Sequence, residues 1–123
     1  MSVFINFSNH PTSYWTQAQI DAANRFGEII DVPFPEIGST ASEEEVLTLA
    51  DKYCAEIVAL SPVAVMVQGE FTFSYAVVSK LSAANITCLA ACTKREVTQI
   101  TQSDGSTVKQ SVFKFVNFRK YVN

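Results

Sequence analysis

Val63-Ala64-Val65-Met66-Val67 is an apolar run with no polar alternation, and such a strand must be covered on both faces, as central parallel strands are. Parallel neighbours cannot be joined by a tight turn. They need a crossover of a dozen or more residues, usually helical, and that crossover is right-handed. Two more apolar runs, Val3-Phe4-Ile5-Asn6-Phe7 and Ile86-Thr87-Cys88-Leu89-Ala90-Ala91, stand far enough from this one to leave room for such helices.

The intervening segments carry helix signals. Thr16 followed by Gln19 fits a capping box, Trp15 with Ile20 fits a hydrophobic staple, and Ile20, Ala23 and Phe26 share one face. Gly27 sits at the C-terminal cap position, which predicts a helix over about 17–26. Glu28–Val32 is a short strand stopped by Pro33 and Pro35. Ser42 with Glu45 predicts a second box, and Val46, Leu49, Tyr53, Ile57 and Leu60 form one stripe to about residue 60. A third helix opens at Thr72 or Ser74 and closes at Asn85 in a left-handed cap. Beyond the last apolar run, Val97–Ser103 and Thr107–Phe118 flank Asp104-Gly105, a two-residue hairpin turn. The expectation is one α/β, Rossmann-like domain over residues 1–123. It has a four-stranded parallel core sheet of order 2-1-3-4, helices on both faces, and a C-terminal β-hairpin at about 97–118. Phe113, Phe115 and Phe118 with Val108, Val112 and Val116 make the last strand apolar on both faces. It either covers a sheet face or forms a dimer seam.

Composition narrows the class. At 123 residues, 48% apolar and 17% charged, the chain has material for one core and no disordered signature. No stretch approaches the roughly 18 apolar residues of a membrane span, and the N-terminal residues read as a strand rather than a leader, so a soluble, cytoplasmic protein without a membrane partner is expected. Three cysteines at irregular spacing and one histidine argue against a disulfide framework and a structural zinc site. Neither a metal nor a cofactor is expected. Residues 1–93 hold 3 basic and 10 acidic side chains, net −7, while residues 94–123 hold 6 and 2, net +4. Such asymmetry suits an anion-binding edge or a self-complementary oligomer, and is too weak for duplex DNA.

Ligands of open α/β sheets bind beyond the carboxyl ends of the strands, where strand order reverses. The loops that meet there are Ser8-Asn9-His10-Pro11, Gln68-Gly69-Glu70-Phe71-Thr72 and Cys92-Thr93-Lys94-Arg95. His10 is either a general acid–base, being the one side chain that ordinarily titrates near neutral pH, or a loop cap. Asn9 either holds a base edge or phosphate, or bonds its own backbone in an Asx turn. Gly69 either lets a phosphate approach the next helix start or is a turn glycine. Glu70 repels an anion there, so it either reads base or ribose hydroxyls or caps the helix. Lys94 and Arg95 are a phosphate clamp or two solvated charges. No carboxylate pair or metal constellation occurs in these loops. The reaction open to such a set is phosphodiester transfer to a neighbouring RNA 2′-hydroxyl, which needs alignment and charge neutralisation.

The opening Val3-Phe4-Ile5-Asn6-Phe7-Ser8-Asn9-His10-Pro11, the Gln-Gly-Glu-Phe-Thr element at 68–72 and Ala-Cys-x-x-Arg at 91–95 resemble small CARF-like proteins of type III CRISPR loci. Those proteins include ring nucleases that sense or degrade cyclic oligoadenylate. The resemblance implies a homodimer that binds the ring, cyclic tetra-adenylate above all, across its interface. It implies metal-independent cleavage to linear products with a 2′,3′-cyclic phosphate, switching off type III signalling. Carried onto this chain, His10, Lys94 and Arg95 are the catalytic residues, and Ser8, Asn9, Gln68, Gly69, Glu70, Phe71 and Thr72 bind the ligand. A module that sequesters the ring without cleaving it is the alternative.

Overall fold

The computed structural model describes residues 2–122. The protein is a mixed α/β structure with one five-stranded sheet and three helices. The strands are β1 (Val3–Ser8), β2 (Glu28–Asp31), β3 (Ala64–Gln68), β4 (Thr87–Thr101) and β5 (Thr107–Lys120). The helices are α1 (Gln17–Asn24), α2 (Glu43–Ala59) and α3 (Phe71–Ala83). Strand order is β2-β1-β3-β4-β5, with β1 parallel to β2 and β3, β3 parallel to β4, and β5 antiparallel to β4. The parallel order 2-1-3-4 is as expected. The sheet as a whole is mixed and five-stranded, because β4 runs on through the segment read as a loop and becomes the first arm of the hairpin. The reason is that Thr93–Glu96 has a partner strand, Val112–Phe115, which keeps its backbone paired.

Alternation divides the core. Ile5, Phe7, Val65, Val67 and Cys88 meet α2 and α3 on one face, whereas Phe4, Ala64, Met66 and Leu89 meet Trp15, Ala23 and Phe118 on the other. Helices therefore cover both faces, with α1 and the end of β5 sharing the second. Phe118 serves as its keystone, with ring centroids 5.3 Å from Phe4 and 6.2 Å from Trp15.

Local chemistry explains most ends. Ser42 accepts from the Glu45 amide at 3.1 Å while Glu45 Oε1 accepts from Ser42 N, a complete capping box. Asn85 takes φ 62° after α3, the left-handed stop expected of it. The hairpin turn differs from expectation: Gln102 N donates to Ser106 O at 2.7 Å, so three residues, Ser103, Asp104 and Gly105, make the loop. Gly105 at φ 87° supplies the left-handed third position that a three-residue hairpin requires.

A register shift on β5 sets the remaining geometry. Cys92 pairs with Asn117 but Thr93 pairs with Phe115, leaving Val116 as the extra residue of a bulge. Without it, Phe115 and Phe118 would point to opposite faces. With it, Phe113, Phe115 and Phe118 lie on the α1 side. Beyond the bulge the two strands leave the core as an exposed ribbon bearing Val97, Ile100, Val108 and Val112. Among the described residues no helix is long and apolar enough to cross a membrane.

Candidate functional site

The loop that leaves β1 is held from below. Asn6, 2% exposed, directs its Nδ2 at His10 O (2.9 Å), Asp31 Oδ1 (3.1 Å) and Thr12 Oγ1 (3.2 Å). Its own carbonyl accepts from Ser8 Oγ at 2.6 Å, and Ser8 Oγ accepts from His10 N at 3.1 Å. Trp15 Nε1 adds a second donor to His10 O at 2.9 Å, and Asp31 takes the Thr12 hydroxyl. The His10 backbone is thereby pinned while its side chain stays exposed. Among the described residues no hydrogen bond engages the imidazole, which leaves both nitrogens for a ligand.

His10 lines a cleft of about 360 Å³ with Tyr14, Trp15, Gln19, Gln68, Thr93, Phe113 and Phe115. It opens beyond the carboxyl ends of β1 and β3, where Asn9 N donates to Gln68 O at 3.1 Å. Gln68 Oε1 accepts from Ala91 N at 2.8 Å, which ties β3 to β4 and leaves its two amide hydrogens for the cleft. Ser8 and Asn9 line a neighbouring hollow of about 380 Å³ with Asp31 and Phe34.

The other expected residues are placed differently. Gly69 has a packing reason to lack a side chain, since a Cβ there would stand 2.4 Å from the Phe34 ring. Glu70 is the N-cap of α3: its Oε1 accepts from Phe73 N at 2.7 Å and from the Thr72 hydroxyl. These donors, the Phe73 amide first, hold its carboxyl below the usual range. The helix end expected to welcome phosphate is therefore occupied by a carboxylate of its own. Phe71 is 90% exposed, and Thr72 lines a groove between α2 and α3 rather than the His10 cleft.

Lys94 and Arg95, read as a loop pair, lie in mid-strand, paired with Lys114 and Phe113 respectively. Successive strand residues face opposite ways, so the two cations cannot grip one phosphate together. Arg95 shares the face of Thr93, Phe113 and Phe115, and donates to Ser111 Oγ at 2.9 Å. Lys94 shares the opposite face with Lys114, whose ammonium pairs with Glu96 at 3.1 Å. Two of the three thiols are quiet: burial pushes Cys54 and Cys88 up to about 11.

The sequence motifs of the strand-end loops do not include Asn6, Asp31 or Gln19. Asn6 had a visible signal, a polar residue inside an apolar strand. Asp31 and Gln19 had none, since each depends on what lies across the sheet. Among the described residues no three metal-ligating side chains gather.

Together these features define a mixed α/β protein with a polar, aromatic-walled cleft at the carboxyl ends of its parallel strands. The profile of the Uncharacterized protein MJ1673 family matches residues 2–119, nearly the whole chain, and the protein belongs to that family. No curated protein matches it, and no solved structure does.

Proposed function

We propose that this protein is a Rossmann-like ring nuclease that binds cyclic oligoadenylate, cyclic tetra-adenylate above all, and cleaves it without a metal. One observation supports the reading more than any other: an unengaged imidazole, spare amide hydrogens and aromatic walls share a single cleft at the strand ends. In this mechanism His10 takes the proton from a ribose 2′-hydroxyl as the 2′-O–P bond forms. The P–O5′ bond breaks, water protonates the departing 5′ oxygen, and a 2′,3′-cyclic phosphate remains. Gln68 donates to the phosphate, and Arg95 swings from Ser111 to meet the charge that develops on it. Lys94, on the other face of the ribbon, falls outside this set.

A homodimer completes the reading. The ribbon carries apolar side chains on both faces and belongs to the positively charged quarter of the chain, while α2 opens with Glu43, Glu44 and Glu45. A second copy offers both the apolar cover and the opposite charge.

Sequestration without cleavage is favoured by one specific feature. No acid or carbonyl among the described residues fixes the tautomer of His10, as an efficient general base requires. Chromatography of cyclic tri-, tetra- and hexa-adenylate mixed with the protein in EDTA distinguishes the two. Cleavage by the wild type and a loss of about 100-fold or more in His10→Ala, with binding kept, is the expected result. Recovery of intact ring from the complex leaves sequestration, and a wild type that binds none of the rings refutes both. Light scattering that gives a monomer mass removes the dimer.

A further inference from the structure

Gln19 is the third residue of α1, where a capping box would send its carboxamide back to the Thr16 backbone N–H. Half of that box is present, with Gln19 N donating to Thr16 Oγ1 at 3.4 Å. The return bond is absent. In α2 the same position, Glu45, does return to its cap. The Gln19 carboxamide is instead turned beneath the helix, the residue 9% exposed, with Nε2 3.7 Å from Met66 Sδ. A thioether is a weak acceptor, and among the described residues the carboxamide has no other hydrogen-bond partner. Ser74 Oγ is the one fully buried side-chain N/O atom without a partner among the described residues, so the unpaired Gln19 carbonyl reaches the open space of the cleft and is available to a ligand.

The surroundings indicate what would satisfy it. Gln19 lines the cleft that holds His10 and Gln68, and two aromatic rings stand at its mouth: Tyr14, 84% exposed, and Phe113, 65% exposed. Exposed rings beside a cleft are stacking surfaces for a planar base. A glutamine carboxamide is matched to one purine edge, because its carbonyl accepts from adenine N6 while its amide donates to N7. Guanine presents O6 and N7, two acceptors, and sets oxygen against oxygen. We infer that Gln19 is the specificity-determining residue of the cleft and reads the N6/N7 edge of an adenine stacked against Tyr14 or Phe113. This rests on the nucleotide reading of the cleft and adds the residue and the atoms that choose the base.

The test is a cycle between protein and ligand, by calorimetry on the full chain. The probes are cyclic tetra-adenylate and the same ring built from 7-deaza-adenosine, which lacks N7. The wild type should bind the deaza ring about 10-fold or more weakly. Gln19→Met, which keeps the packing and removes both polar atoms, should bind the natural ring about 10-fold more weakly and make no distinction between the two. Gln19→Glu keeps the acceptor for N6 but sets an oxygen against the N7 lone pair, so it should lose the deaza penalty and bind the deaza ring at least as well as the natural one. Equal affinity of the wild type for both rings overturns the inference even if no variant folds. So does a deaza penalty that persists in Gln19→Met. In either case the cleft remains a ring site and only the role of Gln19 is lost, whereas a wild type that binds neither ring defeats the functional reading with it.

Discussion

Replacing Asn6 by leucine removes the group that holds the His10 loop, and the structure allows its cost to be worked out. Nδ2 has two hydrogens for three acceptors, so at most two full bonds are lost on that side. The bond to the Asp31 carboxylate is charge-assisted and contributes about 2 kcal/mol, and the bond to His10 O about 1 kcal/mol. Ser8 loses its acceptor on Asn6, but its hydroxyl already lies 3.3 Å from His10 O and can turn there. The sum is about 3 kcal/mol, against a typical domain stability of about 5–15 kcal/mol. Taking a urea m-value of about 2 kcal/mol/M, Asn6→Leu should lower the unfolding midpoint by roughly 1.5 M.

Asn6→Asp sharpens the test through its sign. A carboxyl at position 6 would stand where Nδ2 now meets Asp31 Oδ1 at 3.1 Å, and like charges that close raise the pKa of the pair above the unfolded value. A raised folded pKa means stability that is present in acid and lost as pH climbs through it. The midpoint deficit of Asn6→Asp should therefore be larger at pH 8 than at pH 4.5, while that of Asn6→Leu should change little. Urea titrations followed by far-UV circular dichroism measure both. A leucine variant within about 0.3 M of wild type, or an aspartate variant whose deficit ignores pH, refutes the view that this amide holds the loop.

Two further outcomes follow from other groups. Glu70 caps α3 with its carboxyl held low by Phe73 N–H and Thr72, so its contribution exists above the unfolded carboxyl pKa and fades as pH falls through the folded one. Glu70→Gln should unfold earlier than wild type at pH 7 and converge with it in acid; a pH-independent gap would assign the cap to something other than charge. Cys54 and Cys88 are buried and pushed up to about 11, whereas Cys92 is half-buried. A thiol reagent at pH 8 should label Cys92 first in the native protein and reach all three in urea, and early labelling of Cys54 would show that α2 opens locally.

Some of the site could be read before folding and some could not. The loops at residues 8–11 and 68–70 follow directly from buried strands that end at Ser8 and Gln68, and the order 2-1-3-4 expected of a Rossmann-like sheet is the one that brings them together. The pairing of Lys94 with Arg95 could not survive, because whether two adjacent cations cooperate depends on whether their backbone is loop or strand. That was settled by the partner residues Phe113 and Lys114, some twenty positions away. The anion site at Gly69 failed for a similar reason: Phe34 fills the space beside the glycine, and the Glu70 carboxylate takes the Phe73 amide and stands at the start of α3.

Hydrophobic runs and capping residues act within a few positions of one another, and for that reason the sequence by itself determined the parallel strands, the N-cap at Thr16, the full box at Ser42, and the stop at Asn85. Which face a side chain occupies depends instead on register against strands remote in the chain. The bulge at Val116 put Phe113 and Phe115 beside His10, and burial against Met66 drew Gln19 from its cap into the cleft. Those placements are decided by packing across the sheet, and only the tertiary structure could supply them.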